Sequence, residues 1–202
     1  MSGMADSLYL SLWFPNFDEA EILPRTVSVL RQIPFSPARP GVTYSAIQPV
    51  SWSEPTILER RYRPGVSPEE AVAEVAEFLH DDYAYIFEAY WDLWTPPEGT
   101  QKEKWILEPS LVRLTAQGLE FEERAAEQTG HIQLDFGLDT SFLHEEVEFT
   151  AEAERNVRSN VQKLVEFTAQ VEKNAEATGR LLWSESEENL AQKLINRLQR
   201  VQ

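Results

Sequence analysis

Residues 67–94 read SPEEAVAEVAEFLHDDYAYIFEAYWDLW, and what this stretch becomes decides the fold. Ser67 can cap a free backbone N–H, Pro68 suits the first helical position, and Glu70 stands where a capping box places its carboxylate. From Val72 onward Val75, Ala76, Leu79, Tyr83, Ile86, Phe87, Tyr90 and Trp94 follow at steps of three and four, the spacing of one helix face. The periodicity predicts a long amphipathic helix from Ser67 to Trp94. Its other side would carry Glu69, Glu70, Glu74, Glu77, Asp81, Asp82, Glu88 and Asp92, with no Lys or Arg between Ser67 and Thr100.

On the N-terminal side, Leu8 to Phe14 is apolar on both alternating faces, as in a strand covered on both sides. Asp18-Glu19 then opens a helix running to about Gln32, with Pro24 tolerated near its start. Pro34, Pro37, Pro40 and Gly41 form a rigid loop. Val42 to Ile47 is a second strand, parallel to the first if the helix is a crossover. Pro49 and Pro55 bracket a short segment around Trp52, and Thr56 to Tyr62 has the mixed character of an edge strand.

On the C-terminal side, Trp105–Leu107, Leu111–Thr115 and Leu119–Phe121 read as short strands. The last two join in a hairpin at Gly118, which would supply a positive φ. Ile132, Leu134 and Phe136 alternate with polar neighbours as a half-buried strand. From Glu145 the pattern is helical. A seam through Val157, Val161, Leu164, Thr168, Val171, Ala175, Thr178 and Leu182 is narrow and interrupted, which fits a helix lying on the domain better than a free coiled coil. Ser184 and Glu187 resemble a second capping box, before Leu190, Leu194, Leu198 and Val201. The expected fold is α+β: a mixed, largely antiparallel sheet of about five to six strands, a packed amphipathic helix and a long C-terminal helix. Residues 1–144 form the α+β domain, and 145–202 a helical segment packed on it.

The net charge of −16 lies in the middle of the chain. Residues 1–66 hold six acids and six bases and residues 151–202 hold eight of each, whereas 67–100 hold nine acids and no base, and 101–150 eleven acids and four bases. Bare nucleic acid is a poor partner for such a surface, since the counterion release that drives binding needs cationic groups. A basic protein partner fits it, although an acidic surface also simply keeps a protein soluble. No run approaches the roughly 18 to 20 apolar residues of a membrane helix. Leu8–Phe14 is too short and lacks the basic flank of a signal peptide. The absence of cysteine excludes disulfides and thiolate chemistry and points to a cytoplasmic protein.

Motifs for catalysis are sparse. The three histidines, His80, His131 and His144, lack zinc-ligand spacing, and no nucleophile elbow, phosphate loop or dinucleotide fingerprint occurs. No cofactor or metal is expected. The reading that follows is a non-catalytic acidic protein-binding module, of which an antitoxin-like or immunity-like inhibitor of a basic partner is one concrete form. Its candidate contact residues are Glu74, Glu77, Asp81, Asp82, Tyr85, Glu88 and Trp91. A small-ligand binder or enzyme is the alternative, with an anion or ligand site among Arg60, Arg61, Arg63 and His131 near the aromatic stretch. A homodimer through the C-terminal helices is the third reading.

Overall fold

A computed structural model describes residues 6–96, 104–143 and 150–185. The chain is α+β, as the sequence predicts. Among the described residues seven strands form one sheet in the order β3-β2-β4-β5-β6-β1-β7. The strands are β1 (Ser7–Trp13), β2 (Val42–Pro49), β3 (Leu58–Arg61), β4 (Tyr83–Thr95), β5 (Ile106–Gln117), β6 (Ile132–Leu138) and β7 (Gly179–Ser184). All six neighbouring pairs are antiparallel. Strands β1 and β2 do run in the same direction, but β4, β5 and β6 lie between them.

The principal correction concerns residues 67–94. The capping box forms as read, with Ser67 Oγ accepting from Glu70 N and the Glu70 carboxylate accepting from Ser67 N. Helix α2 nonetheless ends at Ala73, and after a 3-10 turn at Ala76–Phe78 the chain becomes the sheet's longest strand. The aromatic run satisfies two periodicities at once. Tyr85, Phe87, Ala89, Trp91 and Leu93 alternate strictly and are buried, while Ile86, Glu88, Tyr90, Asp92 and Trp94 take the other face. Aromatic and β-branched side chains favour the pleated surface, and central pairing with β2 and β5 satisfies the backbone over most of β4.

Strand β5 is likewise continuous from Ile106 to Gln117, where separate short strands were expected. Gly118 makes no hairpin. It is needed because a Cβ there would lie 2.0 Å from the Asp81 carbonyl oxygen.

Helix α1 (Glu19–Leu30), α2 (Pro68–Ala73) and α5 (Ala151–Ala175) cover one sheet face. The short helices α3 (Ala126–Thr129) and α4 (Thr140–Leu143) flank β6. Val157, Val161, Leu164, Thr168, Val171 and Ala175 of α5 are buried, so its seam packs on the sheet within one chain. That burial removes the seam as a surface for a second copy. The helix stops at Ala175, because Glu176 turns left-handed, and Thr178 and Leu182 lie beyond it, Leu182 within edge strand β7. The capping box at Glu187 and the residues Leu190 to Val201 fall outside the described residues, as do His144, Glu145 and Val147. Among the described residues no helix is long and apolar enough to cross a membrane.

Candidate functional site

Three connecting segments meet at the end of the sheet where β2 and β5 finish and β4 begins: residues 50–57, 74–82 and 118–127. Backbone hydrogen bonds tie them together. Val50 N donates to Asp82 O (2.7 Å), Glu122 N to Val50 O (2.8 Å), Glu120 N to Asp81 O (3.0 Å) and Gly118 N to Tyr83 O (2.8 Å). The Glu122 carboxylate also accepts from Trp52 N at 2.7 Å. Glu122 therefore grips the 50–52 backbone at two points.

The chain is strained where it makes these contacts. Val50 has φ +57°, and Glu122, Glu123 and Arg124 have φ of +47°, +53° and +70° in succession. For residues with a Cβ this left-handed region costs roughly 1–2 kcal/mol each, and a β-branched valine there is a clear outlier.

The same end exposes large apolar groups. Val50 is 52%, Trp52 50%, Ile57 48% and Phe78 43% exposed. Trp52 stands edge-on to the buried Phe121 ring, with centroids 5.0 Å apart and planes at 83°, which fixes its orientation while leaving it open to solvent. By sequence the three segments hold nine carboxylates and one arginine, Arg124, which pairs with Glu127 at 2.8 Å. Asp81 Oδ1 is screened from water and has no hydrogen-bond partner.

The expected contact residues divide on this geometry. Glu74 and Glu77 are exposed, and Asp81 and Asp82 partly so, all on the 74–82 segment. Glu74 lies 3.9 Å from Arg60, and Asp82 faces His80 Nδ1 at 2.8 Å. Tyr85 and Trp91 are corrections: both are 0% exposed and cannot reach a partner. The Tyr85 hydroxyl accepts from His80 N (2.7 Å) and donates to Phe78 O (2.8 Å), and burial raises its pKa far above the usual phenol value. It positions the 78–80 segment. Trp91 packs with Phe136, Phe142 and Phe167 in the core. Glu88 lies mid-sheet, where Arg113 donates to it from Nη2 at 2.7 Å and Nε at 3.1 Å. The unbroken acidic helix face therefore does not form.

The candidate anion site is also dispersed. Arg60 and Arg61 lie on β3 at the sheet edge, with Arg61 over the Tyr44 ring at 5.6 Å, and Arg63 is exposed just beyond. His131 precedes β6, with three strands between it and β3, and there its Nδ1 accepts from Phe14 N (3.0 Å) and its ring stacks on Phe17 at 4.3 Å. Burial holds the imidazole pKa below its ordinary value. A shallow cleft beside α5, lined by Pro34, Gln162, Lys163 and Phe167, offers one ammonium, whose proton goes to the Asp92 carbonyl oxygen. Among the described residues no group of three or more His, Cys, Asp or Glu could hold a metal ion.

Sequence reasoning passed over Val50, Trp52, Ile57, Glu120, Glu122 and Glu123. The available signals were the two prolines bracketing Trp52 and the dense acids around Phe121. Carboxylates beside an exposed indole can hold cationic and apolar side chains together. The chain matches no family model, no curated protein and no solved structure.

Proposed function

We propose that this chain is a non-catalytic protein-binding module of the cytoplasm that receives a basic partner at the acidic end of its sheet. An inhibitor of the antitoxin or immunity kind, covering the basic surface of an effector, is the concrete form of that reading. One observation carries it: Trp52, about half exposed, has the Glu122 carboxylate on its backbone N–H at 2.7 Å, on three hydrogen-bonded segments whose own sequence holds nine carboxylates and one arginine. Apolar anchors with a charged rim are the anatomy of a protein contact surface, and Trp is enriched among residues that dominate binding energy. The rim steers encounter and the anchor sets residence time. The central location of the whole −16 charge supports the same choice of partner.

The test is partner recovery at low and high salt with the wild-type chain and a Glu120→Lys, Glu123→Lys variant. A basic protein held by the wild type at low salt, weakened by salt and weakened by the variant, is the expected result. Equal retention by both chains at both salts would remove the acidic end as the binding surface.

A further inference from the structure

We infer, resting on that reading, that Trp52 is the seat of an arginine side chain of the partner, with the guanidinium stacked on the indole face. The exposed Trp52 and its neighbour Val50 call for an occupant with an apolar stem, and the Glu122 carboxylate on Trp52 N calls for a cationic head. Arginine supplies both in one side chain, since its methylene stem covers apolar surface while its head remains charged. Trp is the best aromatic acceptor for a cation over its face. The Trp52 ring is already held edge-on to Phe121, so little freedom is lost when a second plane stacks on it.

Lysine suits the site less well. Its ammonium is a compact, strongly hydrated point charge, whereas guanidinium is planar, weakly hydrated and shaped to fork onto a carboxylate. Glu122 fixes such a carboxylate beside the indole through its bond to Trp52 N, and it is held there by its own backbone N–H on Val50. The strained backbone at Val50 and Glu122 sets these groups in place before the partner arrives.

The experiment titrates the full chain with hexa-arginine and hexa-lysine peptides of equal charge by calorimetry. The wild type is expected to bind hexa-arginine about tenfold more tightly, in line with a stacked, partly desolvated cation. Trp52→Leu keeps an apolar group on Phe121 without an extended π face and should bring hexa-arginine down to the hexa-lysine affinity. Trp52→Ala should do the same. The Glu120→Gln, Glu123→Gln variant should weaken both peptides alike. Equal binding of the two peptides by the wild type, or an arginine preference that survives in Trp52→Leu, overturns the inference and leaves the basic-partner reading in place. Affinity for neither peptide, or affinities unmoved by the glutamine variant, overturns that reading itself.

Discussion

The side-chain amide of Asn160 pairs with both backbone groups of Trp94: Trp94 N donates to Oδ1 at 2.8 Å, and Nδ2 donates to Trp94 O at 2.9 Å. Strand β4 outruns β2, whose last partner in this direction is Val42 opposite Ala89, so β4 has a bare edge from Tyr90 onward. Other segments close it. Ser36 N bonds Tyr90 O, Lys163 reaches Asp92 O, and Asn160 acts as the missing strand at Trp94. An unpaired edge invites pairing with another chain, and α5 covers this one. Asn160 is 1% exposed and also donates to Ser141 O at 2.8 Å. Asn160→Ala would leave three backbone groups unpaired, and a loss on the order of 3 kcal/mol is expected. Urea denaturation measures it, and an unchanged midpoint would show that the amide contributes nothing.

The Tyr85 hydroxyl ties the 78–80 segment to β4 by two strong bonds, although the ring itself belongs to the core. Tyr85→Phe keeps the ring and removes both bonds. A loss of about 2 kcal/mol is expected, together with faster amide exchange confined to residues 76–82. Uniform exchange changes across the sheet would mean that the hydroxyl has no local role.

Strand β1, helix α1, β2, the edge strand β3, β6 and the body of α5 are legible in the sequence because each has one dominant local pattern. Leu8, Leu10 and Leu12 alternate, and Val157 to Ala175 keep one helical stripe. Residues 83–94 carry two patterns at once. Their helical reading puts Val75 and Trp94 on one face, and the choice of strand depends on neighbours β2 and β5 that no local window contains. The candidate site is hidden for a related reason. Trp52, Asp82 and Glu122 are far apart in sequence and meet only when β2, β4 and β5 are in register. Charge was legible, since composition survives any fold, but the side on which it gathers was not.

Backbone strain at the acidic end is measurable. Glycine adopts positive φ freely but costs entropy in the unfolded chain, so Glu123→Gly and Val50→Gly should each stabilise by about 1 kcal/mol net. Ala169→Gly, exposed within α5, should instead destabilise by about 1 kcal/mol. Thermal and urea unfolding of the three variants checks the contrast. Destabilisation of all three would show that Val50 and Glu123 are not strained in solution.

His131 gives the protein a pH dependence whose sign follows from its surroundings. The imidazole is half-buried, stacked on Phe17 at 4.3 Å with Phe14 beside it at 6.4 Å, its Nδ1 accepts the Phe14 N–H, and desolvation lowers its pKa from the ordinary 6.5. The unfolded chain therefore takes up this proton first as pH falls. Stability from the neutral ring is fully present above about pH 6.5 and is lost as pH drops through the folded-state value. Protonation would also set a donor at Nδ1 against the Phe14 N–H. His131→Asn keeps an acceptor near that position and cannot titrate, but it loses the ring stack. The variant should be less stable than wild type at about pH 8, and the difference should shrink by about pH 5, because only the wild type carries this linkage. Carboxylates held below their usual range, such as Glu69 and Glu70, act equally in both chains and cancel. Urea unfolding across that range reads the difference directly, and a gap independent of pH would show that His131 titrates alike in the folded and unfolded chain.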